Sequence, residues 1–244
     1  MGLKNTAVNV ISGMIPNKRM RHRVRTRLTY DIGKYIEFAK RDANRPRATV
    51  RTYSGHGGMK KIIVVLDGEI AYKFPLVPAK YDTPRREKMF ADAFRDISPV
   101  YIPKMEIVQF DGVDVLKYEF LSGKTLVDLD ADTIHRHAEK IAKQLAAFIF
   151  EIGRSDPKSI RHLRPRGAKP EMFLGWYHND IAGNFIVNPD TGDIVAFIDW
   201  ESAEWTNMHK DLMRARRFLD KRDCGDLIMM TVFEYIALYQ AANK

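Results

Sequence analysis

The stretch running from Tyr177-His178-Asn179-Asp180-Ile181-Ala182-Gly183-Asn184 into Phe185-Ile186-Val187 sets the tightest limit on the architecture. A polar loop enters an apolar strand directly, with no intervening linker. Asn188-Pro189-Asp190-Thr191-Gly192-Asp193 then turns the chain into a second apolar strand at 194–198, and Asp199 follows it. A hairpin of this kind brings an amide oxygen at Asn184 and a carboxylate at Asp199 close together. That is the donor chemistry a hard, oxygen-seeking cation requires.

The rest of the chain is patterned around this hairpin. Strands are predicted at 50–53, 61–66 and 70–74, the last two joined by Asp67-Gly68, a strong hairpin signal. A helix is predicted over 81–94, two paired strands flank Asp111-Gly112, and a long helix covers 131–152. A Pro- and Arg-rich connection leads to the loop and hairpin, and the C-terminal third reads as helical. Strands first and helices afterwards imply an α+β architecture, with a small antiparallel-sheet lobe before a larger, mainly helical lobe. The segments divide as 1–50, a basic helical segment; 51–121, the small sheet lobe; and 122–244, the larger helical lobe.

Charge is unevenly distributed. Residues 1–51 hold 13 Lys or Arg against 3 Asp or Glu, a net +10, while the remainder holds 27 basic and 28 acidic residues, a net −1. Between residues 17 and 39 the apolar positions Met20, Val24, Leu28, Ile32, Tyr35, Ile36 and Ala39 recur at helical spacing beside a run of arginines. Such a stripe either lies on an anionic membrane surface or packs on the body of the protein. The near-neutral remainder, without a basic face or an aromatic-rich RNA-reading motif, argues against nucleic acid. A single cysteine, Cys224, excludes an intrachain disulfide and a cysteine-rich zinc site. No apolar run is long enough to span a bilayer. The expectation is a cytoplasmic protein, with a peripheral place on the inner face of the cytoplasmic membrane if the basic segment binds lipid.

Phosphoryl transfer needs a carboxylate near the acceptor hydroxyl, oxygen ligands for magnesium, a cation on the nucleotide phosphates and backbone donors around them. The chain offers each in order. Asp180 is the candidate base, with His178 bracing its loop, and Asn184 and Asp199 are the candidate metal ligands. Lys73, alone in the apolar strand Ile70-Ala71-Tyr72-Lys73-Phe74, is the candidate phosphate cation, and Gly55, Gly57 and Gly58 offer unhindered amides just before it.

These segments resemble the aminoglycoside phosphotransferase and choline kinase branch of the protein-kinase-like fold. His178-x-Asp180 is similar to that family's catalytic-loop motif and Ile198-Asp199-Trp200-Glu201 to its metal-binding motif. The resemblance implies ATP and Mg2+ as cofactors, Glu87 as the carboxylate that pairs with Lys73, Glu119, Phe120 and Leu121 as neighbours of the adenine, and Asp211 as a brace for the loop. The chain departs from the family at Asn184, which follows Asp180 by four residues where five are usual.

The acceptor is expected to be anionic. Lys158, Arg161, His162, Arg164, Arg166 and Lys169 precede the loop, and Lys210, Arg214, Arg216, Arg217, Lys221 and Arg222 follow the metal motif. Arg and Lys in such numbers suit phosphate or carboxylate groups. Gly183-Asn184-Phe185-Ile186-Val187 also resembles lipopolysaccharide core heptose kinases, which implies a sugar hydroxyl of an anionic glycolipid. Two alternatives stay open: an aminoglycoside- or choline-type small-molecule kinase, and a catalytically silent kinase-like module.

Overall fold

A computed structural model describes residues 30–54, 60–77 and 82–244. Secondary structure is mixed α+β, and the chain forms two compact units. The first comprises the residues up to Arg85 together with Glu106–Phe120, and the second comprises Arg86–Met105 and Leu121–Lys244. Residues 86–105, which belong to the sheet-lobe segment in the sequence division, thus cluster with the second unit.

The first unit is a five-stranded antiparallel sheet covered by one helix. Strands β1 (Val50–Ser54), β2 (Lys61–Leu66), β3 (Ile70–Pro75), β4 (Met105–Phe110) and β5 (Val113–Glu119) lie in the order β1-β2-β3-β5-β4. Both Asp-Gly pairs turn where the sequence places them: Asp67 and Gly68 have φ of 54° and 72°, Asp111 and Gly112 of 50° and 75°. Positive φ at both central residues matches the right-handed twist of the flanking strands. Helix α1 (Ile32–Asp42) buries Tyr35, Phe38 and Ala39 against Ile62, Val64, Leu66, Tyr72, Phe74 and Val115. Each fully buried large apolar side chain contributes about 1.5–3 kcal/mol.

The continuous helix read over 17–39 is corrected here. Asp31 is a non-helical N-cap whose side chain accepts from Gly33 N, so the helix starts at Ile32 and runs on to Asp42. The apolar stripe from Ile32 onward is committed to the sheet rather than to lipid. Its predicted beginning, residues 17–29, lies outside the described residues.

In the second unit, α2 (Thr83–Phe94) supplies Phe90 and Phe94. Helix α3 (Ala131–Arg154) is capped by Asp130, whose side chain accepts from Thr133 N at 2.8 Å. Small sheets β6-β8-β9 and β7-β10 are built from β6 (Lys124–Thr125), β7 (Leu174–Tyr177), β8 (Phe185–Val187), β9 (Ile194–Phe197) and β10 (Glu204–Asn207). Helices α4 (Met208–Leu219) and α5 (Asp226–Ala242) complete the unit, α5 lying along α3. Its core is aromatic: Phe148 stacks on Phe197 with centroids 3.8 Å apart, and Trp200 lies against Phe94 and Phe148. Among the described residues no helix is long and apolar enough to cross a membrane.

Candidate active site

The loop 178–184 is held from both ends. Tyr177 ends β7, which pairs antiparallel with β10, and Asn184 leads into β8. At the front, His178 is buried, its Nε2 lies 2.9 Å from Ile198 O, and its ring meets Trp200 edge-on at 4.9 Å. The imidazole thereby fastens the start of the loop to the strand that delivers Asp199. Next comes Asn179, with φ of 63°, a left-handed conformation that Asn tolerates better than most residues. Its Nδ2 donates to Ser202 O at 3.2 Å.

Asp211, in the first turn of α4, is buried beneath the loop and accepts from Asn179 N at 2.7 Å and Ile181 N at 3.2 Å. Burial is the main reason its carboxyl is pushed up to about 7; the two backbone donors and Arg214 oppose that shift, while the charge of Asp180 adds to it. With the amides on either side of Asp180 anchored, the Asp180 side chain stays 35% exposed. Arg214, one helical turn beyond Asp211, donates from Nη1 to Asn179 O at 2.9 Å and holds Nε 3.6 Å from Asp180 Oδ1.

Across the hairpin, Ile198 N donates to Asn184 O at 3.0 Å, so Asn184 lies opposite the residue before Asp199. Asn184 Nδ2 donates to Asp180 O at 2.8 Å, which turns the amide oxygen the other way. The four-residue spacing is taken up by a 3-10 turn over Ile181–Gly183. Asp199 itself has φ of 64° and ψ of 52°, and the turn Trp200–Ser202 follows it. A left-handed aspartate at a strand end is a strained placement of the kind that clusters at functional sites. Its carboxylate, that of Glu201 and that of the buried Glu87 have oxygens within 4.8 Å of one another. Arg86 helps to place the group, donating from Nε to Glu201 O at 3.1 Å and from Nη2 to Ala203 O at 2.6 Å.

Residues 150–242, which hold the whole of this loop, hairpin and brace, match the model of the phosphotransferase enzyme family. Solved structures agree on the architecture. Aminoglycoside phosphotransferase APH(2'')-Ib in its ADP-bound form is 13% identical, with a TM-score of 0.61 over 84% of this chain and 82% of that one. Its fold is that of the aminoglycoside phosphotransferases. The streptomycin–ATP ternary complex of APH(2")-IIa matches as well, at 13% identity and a TM-score of 0.61 over 84% of each chain. Macrolide 2'-phosphotransferase MphH from Brachybacterium faecium follows at 13% identity and a TM-score of 0.57, covering 83% of this chain and 82% of its own. No curated protein sequence matches the chain.

Within this aminoglycoside-phosphotransferase fold, Lys73 is 5% exposed on β3, opposite Ile63 and Leu116, so it is a buried lysine and not an outward, solvated one. It belongs to the first unit and Glu87 to the second. Glu119 ends β5, and Phe120 N donates to Glu69 O at 2.6 Å while its ring stacks on Tyr53; Leu121 begins the second unit. Gly55, Gly57 and Gly58 lie outside the described residues.

Sequence reasoning missed Glu201, Arg86 and the Arg214 latch. Glu201 stands two residues after Asp199, inside the segment that resembles the metal-binding motif, and received no role there. The basic residues expected to meet the acceptor divide. Arg161 and Arg164 pair with Asp156, Lys210 with Glu204 and Arg216 with Asp220, and Arg222 donates to Leu129 O. Lys158, His162, Arg166, Lys169, Arg217 and Lys221 are exposed.

Proposed function

We propose that this protein is a kinase that transfers the γ-phosphate of ATP to a sugar hydroxyl of an anionic glycolipid, of which the lipopolysaccharide core is the leading example. The observation that carries the phosphotransfer reading is the partly exposed Asp180 on a loop whose flanking amides are both held by buried Asp211. In this reading Asp180 orients the acceptor hydroxyl and takes its proton as the hydroxyl oxygen bonds to the γ-phosphorus. The bond from that phosphorus to the bridging oxygen breaks, and ADP leaves.

The oxygens of Asn184, Asp199 and Glu201 are hard donors of the type magnesium prefers, and Asp199 and Glu201 already lie close to each other. Magnesium held by these oxygens would supply positive charge against the nucleotide phosphates. The buried Lys73 of the first unit is the candidate cation for nucleotide phosphates. His178 is a positioning residue in this scheme, since its Nε2 is spent on Ile198 O.

The anionic acceptor is supported by the exposed Lys158, Arg166, Lys169, Arg217 and Lys221, which form no salt bridge among the described residues. Cationic acceptors favour carboxylates or aromatic cages instead. The similar structures named for aminoglycoside and macrolide phosphotransferases keep a soluble small-molecule acceptor as the second reading.

An acceptor panel with labelled ATP and magnesium separates them: core oligosaccharide or glycolipid is expected to take label, and labelling confined to aminoglycosides, macrolides or choline would refute the glycolipid. Asp180→Asn is expected to lower transfer by roughly 10²–10⁴-fold without loss of folding. Unchanged turnover in that variant removes Asp180 from the mechanism.

A further inference from the structure

Helix α4 is anchored to the body through Met208, Asp211, Leu212, Ala215 and Leu219 and turns a charged face outward. Lys210, Arg214 and Arg217, spaced at i, i+4 and i+7, fall within an arc of about 60° at 3.6 residues per turn, and Lys221 follows in the 3-10 turn Asp220–Arg222 that ends the helix. Met213 and Phe218 border this stripe on its two sides, exposed by 48% and 47%. On the Met213 side, Arg216 reaches Met229 Sδ of α5 at 3.9 Å, and one turn further along α5 Phe233 is 65% exposed. Large apolar side chains in water beside lysines and arginines are the composition of a helix that lies in a lipid interface.

We propose that this face, the outer side of α4 with Met229 and Phe233 of α5, docks the protein on an anionic lipid surface. Charge complementarity selects that occupant. Arg214 is occupied at the catalytic loop and Lys210 by Glu204, while Asp220 is met by Arg216, so Arg217 and Lys221 carry the attraction to headgroups. The phenylalanines and methionines then enter the acyl boundary. A second copy of the chain fits poorly, since a two-fold contact would set the same cationic stripe against itself. Free phosphate explains the cations but not the apolar side chains. Because the stripe includes Arg214, whose Nε lies 3.6 Å from Asp180 Oδ1, a docked molecule would present its catalytic loop near the lipid surface. The proposal thereby deepens the glycolipid reading and rests on it for its purpose, though lipid binding itself can be measured without nucleotide.

Co-sedimentation of the full chain with vesicles tests it. Binding is expected to vesicles of phosphatidylcholine mixed with phosphatidylglycerol and not to phosphatidylcholine alone, and to weaken as salt rises. Arg217→Glu combined with Lys221→Glu is expected to lower the partition coefficient by about tenfold or more. Phe218→Ser combined with Phe233→Ser is expected to lower it several-fold, and both variants should keep the wild-type melting temperature. Wild-type binding in both variants would overturn the proposal and move attachment elsewhere, for instance to the basic residues before Thr52. Binding to RNA with none to the vesicles overturns it too. Vesicle binding that depends on this face, in a protein that labels no glycolipid, would sink the acceptor reading alone.

Discussion

Asp211 keeps its proton to about pH 7 because burial disfavours its charge more than its two amide donors favour it. In the unfolded chain an aspartate titrates near pH 3.9. Between about pH 4 and 7 the folded state therefore holds a proton that the unfolded state has released. The resulting stabilisation is complete below about pH 4 and is lost as pH rises through about 7. Asp211→Asn cannot ionise and lacks that slope, so the stability difference between wild type and variant, followed by denaturant unfolding, is expected to fall by a few kcal/mol from pH 4 to 7 and to be flat above pH 8. A difference independent of pH would show that Asp211 is ionised throughout. The variant also turns an amide NH2 toward one of two backbone donors, at a cost of about 1–3 kcal/mol. At this scale Asp180 and Asp199 were readable, because each sits at a junction between a loop and an apolar strand. The proximity of Glu87 to Asp199 was not, since 112 positions separate them in the chain.

Strand β7 is the element that delivers the loop, and sequence patterning did not reveal it. Leu174-Gly175-Trp176-Tyr177 is short and carries no alternation, and its partner β10, Glu204-Trp205-Thr206-Asn207, is equally brief. What makes the strand possible is a close approach to α3. A Cβ on Gly175 would stand 2.1 Å from Gly153 O, and one on Gly153 would stand 2.9 Å from Tyr177 Oη. Gly175→Ala is expected to destabilise the protein by about 1–3 kcal/mol through overpacking, read as a lower denaturation midpoint. It should also reduce transfer through displacement of the loop; a neutral result would mean that β7 and α3 separate freely. Helix α1 illustrates the opposite case. Its periodicity was plain, but only the sheet decided that Tyr35 and Phe38 face protein.

For the whole molecule, a nucleotide that binds only the folded chain adds stability in proportion to the logarithm of its concentration. Magnesium-ATP at about a hundred times its Kd is expected to stabilise the protein by about 2.7 kcal/mol. Thermal melts with and without nucleotide measure this, and chelation of the magnesium or Asp199→Ala should reduce the shift. An identical shift without metal would take Asp199 out of the site.

The strands of the five-stranded sheet, both Asp-Gly turns, the Asp180 loop and the Asp199 hairpin were determined by the sequence itself, since each rests on local propensity or on neighbours a few residues apart. Tertiary structure decided the rest. It made Asp211 a buried anchor, put Glu87 and Glu201 beside Asp199, drew Arg214 onto the loop and left Arg217 and Lys221 facing water. The physical reason is that burial, pairing and proximity depend on elements distant in the chain, whose meeting no local pattern encodes.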